Sequence, residues 1–435
     1  MRKWDGGIEI STLEYSARPR VFQCPEGGQA ERSTNQVLAP QNIFPYLQQA
    51  VAKKNLKGLT LPELRSFVES LGEKKYRANQ LFSWLYAKRA QSFDEMTDIS
   101  KGFRATLVGA ATIDNLQLVT KSVSPSDGTT KFLFGLHDGL MVESVLIPAE
   151  EESSVTEGRL TLCVSTQVGC PLDCKFCATG TMGFSRNLTA GEIVDQVIQA
   201  QRHARRRITN LVYMGMGEPM LNYENVMKSG QLITDDRSLN IGARHITIST
   251  AGYADKIRRM ADEDQKVKLA LSLHSLDNTK RAQLMPLTRK FPVEVLIDAL
   301  EYYHRATRRR PTLEYILFDG FNDTEDDLKR LMSASKRIPC KVNLIPYHSI
   351  EFANPSGLAA ALRPAARPRL EAFADALRKA NITVMIRSSA GQDIEAACGQ
   401  LAVQEQAKTE ERRPRTGRPS PHPTKPPSMV AVTSR

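Results

Sequence analysis

The sequence predicts an α/β fold on a parallel sheet, preceded by a small helical region. Three observations carry this. From residue 160 onward, apolar strand-like runs alternate with helical ones, which implies parallel strands joined by crossover helices. The residues with chemical potential fall at strand ends, where ligands sit in such sheets. Residues 46–115 instead carry a helical period.

Composition sets the outer limits. The chain has 435 residues, 41% hydrophobic and 25% charged, as in ordinary globular proteins. This length allows one large domain with accessory pieces. No run reaches the ~18 apolar residues of a membrane helix, so no membrane span is expected. A net charge of +11 favours nucleic acid or another anionic surface. The seven cysteines (24, 163, 170, 174, 177, 340 and 398) are odd in number and unevenly clustered. That is no secreted disulfide framework and suits a reducing compartment. The N-terminus lacks the apolar core of a secretory signal, so a cytoplasmic location is expected.

In order, residues 1–45 hold Gly, Pro, Ser and Gln without periodicity and read as a flexible extension. In 46–115, Leu61-Pro62-Glu63-Leu64 places proline at a helix start, where its missing N–H is harmless. Val68 and Leu71 continue the apolar face. A basic loop, Gly72 to Gln80, leads into a second helix, and Asp94 and Thr97-Asp98 break the pattern. Lys54, Lys57, Lys74, Lys75, Arg77 and Lys88 offer phosphate contacts, or form a plain solvated face. Residues 116–159 read as a linker and β-hairpin, because 130–148 alternate around Asp138-Gly139. Glu143 lies in its second strand.

Residues 160–403 form the predicted core. Strands are expected at 161–167, 208–215, 245–250, 268–274, 311–318, 341–346 and 382–387. Helices are expected near 189–203, 223–234, 253–261, 292–307, 324–337 and 367–380. Residues 404–435, rich in Pro, Lys and Arg, read as a disordered basic tail.

The densest chemistry is Cys170-Pro171-Leu172-Asp173-Cys174-Lys175-Phe176-Cys177. Thiolates are soft ligands suited to iron–sulfur clusters and zinc. A bacterial ferredoxin run has C-x2-C-x2-C and a fourth cysteine before proline. A structural zinc site takes four ligands, commonly as two separated pairs. The C-x3-C-x2-C spacing here matches neither, and three protein ligands leave one metal position open. A zinc knuckle or inert packed thiols are the plainer alternatives at this point. Gly217-Glu218 follows a strand; glycine lets a ligand approach the backbone, and the carboxylate can accept from an ammonium group. The glycines are too few for a dinucleotide fingerprint. Cys398, flanked by Ala397 and Gly399, suggests a reactive loop thiol, and Cys340 an inert buried one.

The cysteine run resembles the signature of radical S-adenosylmethionine (SAM) enzymes, whose three cysteines hold a 4Fe-4S cluster and whose fourth iron binds SAM. Longer motifs narrow the likeness. They are Cys163-Val164-Ser165-Thr166-Gln167-Val168-Gly169-Cys170, Gly183-Phe184-Ser185-Arg186-Asn187-Leu188, Met214-Gly215-Met216-Gly217-Glu218-Pro219, Ser272-Leu273-His274, Asn343-Leu344-Ile345-Pro346 and Asp393 through Leu401. Together they resemble the RlmN/Cfr family of radical SAM methyltransferases, which act on adenine in RNA. The likeness runs from about residue 58 to 402 and includes Leu71-Gly72-Glu73-Lys74 and Phe93 through Ile99.

The resemblance implies a partial (β/α)6 barrel with a helical accessory domain. Cys170, Cys174 and Cys177 would hold the cluster. Gly217, Glu218, Ser249, Ser272, Leu273, His274 and Asn343 would line SAM, of which two are used per turnover. Cys398 would be methylated by the first SAM and carry its carbon to the adenine. Glu143 would take the ring proton, a role best served if burial raises its pKa. Cys163 would displace the protein from the adduct, forming a transient disulfide with Cys398. RlmN-type members methylate adenine C2 in 23S-type rRNA, and bacterial ones also in tRNA; Cfr-type members act on C8. The segment around Cys398 and the helical region favour the RlmN type. The implied partners are these RNAs and an electron donor such as flavodoxin or ferredoxin, with the protein a monomer. Arg202, Arg205, Arg206, Arg207, Arg308, Arg309 and Arg310 are consistent with RNA backbone contacts. A noncatalytic iron–sulfur RNA-binding protein is the rival of another class, but it would need none of Cys163, Glu143 and Cys398. The sequence departs from the pattern in its extension, its tail and His348-Ser349-Ile350, where Asn-Pro is expected.

Overall fold

The computed structural model describes residues 53–149, 158–387 and 389–403. All of these belong to the compact unit from Ala52 onward. The expected extension and tail, with Cys24, lie outside the described residues.

The chain opens with β1 (Lys54–Asn55), α1 (Leu61–Ser70) and α2 (Tyr76–Phe82), then α3 (Lys101–Ala110) and β2 (Ala111–Thr112), which pairs parallel with β1. Glu63 caps α1 by accepting the Thr60 N–H at 2.7 Å, and Leu61, Leu64 and Val68 bury one face. A meander follows: β3 (Gln117–Val123), β4 (Thr130–Gly135) and β5 (Met141–Pro148). Strand β6 (Leu160–Cys163) leads to an excursion holding the Cys run: β7 (Gln167–Gly169), α4 (Ala178–Thr181) and β8 (Phe184–Asn187). Then come α5 (Ala190–Ala204), β9 (Asn210–Tyr213), α6 (Tyr223–Thr234), β10 (Ile246–Thr250), α7 (Ala254–Asp262), β11 (Lys268–Ser272), α8 (Asn278–Leu284), α9 (Val293–Thr307), β12 (Thr312–Leu317), α10 (Glu325–Arg337), β13 (Lys341–Pro346), α11 (Leu358–Ala361), α12 (Arg367–Lys379) and β14 (Thr383–Ile386).

Ten strands form one sheet, ordered β14-β13-β12-β11-β10-β9-β6-β5-β4-β3. Strands β6 and β9 to β14 are parallel neighbours joined by helical crossovers, as the alternation predicts. The hairpin is part of this sheet rather than an appendage: β5 pairs antiparallel with β6, matching Val145 with Cys163. Strand β6 is shorter than expected. The Val164 N–H still donates to the Val212 carbonyl at 3.0 Å, and beyond it the Gln196 side chain takes over: its Oε1 accepts the Ser165 N–H at 2.8 Å.

The sheet is open, with β14 and β3 as its edges. Residues 389–403 bridge them. Gly391 N–H donates to Asp127 Oδ2 (2.8 Å), Ser124 Oγ to Asp393 Oδ2 (3.0 Å) and Lys131 Nζ to the Glu395 carbonyl (3.2 Å). This strap carries Cys398 over the carboxyl ends of the strands.

Helix α5 is buried along nearly its whole length, from Ala190 to Gln201, because the sheet covers one side and the helical region the other. Its contact with that region is close. A Cβ on Gly58 (φ +90°) would meet the Gly191 nitrogen at 2.5 Å. Beside it, Lys57 Nζ lies 2.6 Å from Asp195 Oδ1, with both side chains 1% exposed. Lys57 therefore ties two parts of the fold together and is not a phosphate contact. Arg309 and Arg310 are likewise engaged, with Asp264 and the Cys340 carbonyl. No helix among the described residues is long and apolar enough to cross a membrane.

Candidate active site

A cavity of about 140 Å³ opens at the carboxyl ends of the parallel strands. Cys170, Cys174, Cys177, Gly217, Glu218, Ser249, Ser272, His274 and Cys398 line it, each from a different stretch of chain or turn of one loop. Leu273 and Asn343 do not. The Leu273 side chain is fully buried in the core, and Asn343 sits behind the wall, donating to Glu314 Oε1 at 2.9 Å.

The three cysteines stand on the excursion after β6. Gly399 follows Cys398 with φ +85° and packs against this loop: its carbonyl accepts the Ala178 N–H at 2.7 Å. The strap is thus fastened to the Cys run. Burial pushes the Cys170 thiol up to about 12 and Cys174 well above its ordinary value, with the neighbouring thiols adding to both. Burial raises Cys177 as well. Such thiols ionise only against a compensating cationic group. Among the described residues, no three His, Cys, Asp or Glu side chains gather tightly enough to hold a single metal ion. A zinc knuckle needs thiolates within about 4 Å of one another on one ion. An iron–sulfur cluster gives each thiolate its own iron, and three buried thiols lining one cavity fit such a cluster.

Glu218 is 3% exposed. Its Oε1 accepts the Met220 N–H (3.0 Å) and its Oε2 the Ala251 N–H (2.7 Å), and burial raises its pKa to about 7. Gly217 (φ +95°) has no room for a side chain, since a Cβ would meet Gln167 Cβ at 2.5 Å. Gln167 in turn accepts the Glu218 N–H at 2.8 Å. The Ser249 and Ser272 hydroxyls are 3.4 Å apart. His274 takes φ +55°, and its Nδ1 accepts the Ile316 N–H at 3.1 Å. Burial drops its pKa to about 3, so it stands neutral, edge-on to the Phe176 ring.

A second cavity, of about 40 Å³, adjoins the first. Cys163, His348, Arg387 and Cys398 line it, and Cys398 and Arg387 also border the larger cavity. The strap therefore brings Cys163 and Cys398 to one space, and all six described cysteines are free thiols. Burial, followed by the nearby Cys398, pushes Cys163 up to about 12. Glu143 lines neither cavity. It is 5% exposed, and its Oε2 accepts the Ala402 N–H at 3.0 Å, four residues beyond Cys398. Burial raises its pKa to about 7, while Lys131, 3.5 Å away, opposes the shift.

Sequence reasoning missed three residues. Glu314 and Arg387 face each other at 3.6 Å across the cavity wall. A carboxylate inside the apolar run Thr312–Leu317 was a signal for Glu314. Arg281 is fully buried and donates to the carbonyls of Ala251, Ser272 and Leu273, fixing the ends of β10 and β11. Nothing in its local sequence marked it.

Known proteins place this geometry. The profile of the ribosomal RNA large subunit methyltransferase N-terminal domain matches residues 54–113, and that of the radical SAM superfamily matches 164–332. A probable dual-specificity RNA methyltransferase RlmN of Thermotoga neapolitana is 48% identical, over 80% of this chain and 98% of its own length. Its counterpart from Christiangramia forsetii is 44% identical over 80% of this chain and 96% of its own length. The crystal structure of a radical SAM methyltransferase from Sphaerobacter thermophilus superposes with a TM-score of 0.73 at 41% identity, covering 80% of this chain and 99% of that one. Family membership implies a 4Fe-4S cluster, SAM and an RNA substrate. The open parallel sheet, the three-thiol cavity and these likenesses agree: the chain belongs to the RlmN family of radical SAM RNA methyltransferases.

Proposed function

We propose that the protein methylates C2 of adenine in 23S-type rRNA and in tRNA, using two SAM molecules per turnover. The observation that carries this reading is the position of Cys398, which borders both the cavity of the three thiols and the cavity of Cys163.

The chemistry starts from the adenine. C2 lies between two ring nitrogens and is electron-poor, so it does not attack a methyl sulfonium as a nucleophile would. A carbon carried by the protein avoids this difficulty. Cys170, Cys174 and Cys177 would hold the cluster, which when bound supplies the electron that splits SAM to a carbon radical. Glu218 and the backbone around Gly217 would hold SAM, with Ser249, Ser272 and His274 completing the wall. Leu273 and Asn343 support that wall from behind. Cys398 accepts the methyl group and presents it to the RNA. Glu143, with a pKa raised to about 7, is suited to take the C2 proton near neutral pH. Cys163 then displaces the Cys398 sulfur, closing a transient disulfide that a cellular reductant reopens.

RNA backbone contacts are expected at a groove between the helical region and α5. Lys88, Arg89, Arg202, Arg205, Arg206 and Arg207 line it, with no carboxylate among its lining residues. A monomer supplied by flavodoxin or ferredoxin completes the picture, with 46–115 as accessory domain and 160–403 as catalytic core.

The test is anaerobic reconstitution, incubation with rRNA and tRNA, and nucleoside mass spectrometry. 2-Methyladenosine is expected, and Cys398→Ala should abolish it. 8-Methyladenosine would favour the Cfr-type reaction. Tight RNA binding with no methylated product would favour a binding protein.

A further inference from the structure

Resting on this reading, the release step poses a problem. The nucleophile must be the Cys163 thiolate, yet Cys163 lies in surroundings that keep it protonated. A base beside it is required, and the second cavity holds one not yet used. His348 is 5% exposed, and its Nδ1 is buried with no hydrogen-bond partner among the described residues. Buried polar atoms nearly always have a partner, so an unpaired one on a residue that lines the cavity asks for an explanation.

The placement supplies one. His348, Cys163 and Cys398 line the same cavity, whose volume of about 40 Å³ admits a water molecule. The ionisable groups facing it are Cys163, Cys398, His348 and Arg387; the remaining wall is apolar, including Ile147, Val212 and Ile345. Among the described residues no carboxylate lines it, and burial lowers the His348 pKa, which favours the neutral imidazole. The loop is tied to the strap, since the Ser349 carbonyl accepts from Gln400 Nε2 at 3.0 Å. His348 also lies where the core sequence departs from the expected family pattern.

We propose that His348 takes the proton of Cys163, directly or through one water, as that thiol attacks the sulfur of Cys398 in the protein–RNA adduct. The Cys163 S–H bond breaks and its proton passes to the His348 imidazole. A bond forms between the two sulfurs. The bond from the Cys398 sulfur to the bridging carbon breaks, leaving its electron pair on carbon, where a proton from solvent completes the methyl group. The two sulfurs lose the two electrons that the carbon gains.

The test uses the reconstituted full chain with RNA, SAM and reductant, quenched in denaturant, with covalent adduct resolved by gel. Cys163→Ala, which lacks the attacking thiol, is the reference and should accumulate adduct. His348→Asn and His348→Gln should accumulate it too, with release about 100-fold slower at pH 7. Release should recover as pH rises towards ionisation of the thiol itself, a dependence the parent protein should lack. Adduct formation itself reports that each variant is folded. Release from both His348 variants at the parent rate and with the parent pH profile would overturn the role of His348. Absence of adduct in Cys163→Ala would overturn the underlying mechanism and that role with it.

Discussion

Lys57 and Asp195 are as deeply buried as Glu143 and His348, yet the two sets are satisfied to different degrees. Asp195 accepts from Lys57 Nζ and from the Leu116 N–H, both at 2.6 Å, and from Gln199. Burial pushes Asp195 up and Lys57 down, towards neutrality, and their mutual attraction opposes both shifts. Every lone pair there has work to do in holding the helical region on α5. Under the strap, His348 Nδ1 has no partner among the described residues, and Glu143 has one long ion pair and one backbone donor there. A complete buried network fixes a geometry. An incomplete one leaves protons free to move.

Substitutions can break this contrast. The largest effect is expected from Glu143→Gln, which keeps the shape and the Ala402 contact but removes the proposed base. Methyl transfer to RNA should fall by at least about 100-fold, measured in single turnover. Its stability effect has a definite sign. The folded-state pKa is raised from 4.5 to about 7, so the folded form holds this proton more tightly than the unfolded chain. The resulting stabilisation is complete below pH 4.5 and is lost as pH rises through about 7. Glu143→Gln should therefore raise the melting temperature relative to the parent more at pH 8 than at pH 4.5. An equal shift at both would contradict the assigned burial.

Asp195→Ala should do the reverse. It strands Lys57 without a counter-charge and should lower unfolding free energy by about 3–5 kcal/mol, read by denaturant melts. Activity per folded molecule should survive. If activity is lost while stability is not, the interface is more than a scaffold. The smallest effect is expected at the basic groove. The double substitution Arg205→Ala, Arg206→Ala should weaken RNA binding and make the slope of log affinity against log salt shallower by roughly two. An unchanged slope would place the RNA elsewhere.

Much of the fold was legible because its signals are local. The period of 223–234 and of 341–346 is set by neighbours in sequence, and helix and strand appear at those limits. The Cys run was equally plain, since the spacing of its three thiols is a property of one octapeptide. Lys57 shows the opposite case: a lysine in a basic segment looks like a phosphate contact until packing places it on Asp195.

The sequence by itself determined the alternation of strands and helices from residue 160 onward, the spacing of the three-cysteine run and the family resemblance. Tertiary structure alone decided that the strap crosses from β14 to the meander and that Cys398 overlooks both cavities. It alone turned Glu314 towards Arg387 and left His348 with an open nitrogen. The reason is physical. Periodicity and motif spacing are carried by covalent neighbours, whereas burial and hydrogen-bond completeness depend on segments that meet only once the sheet has formed.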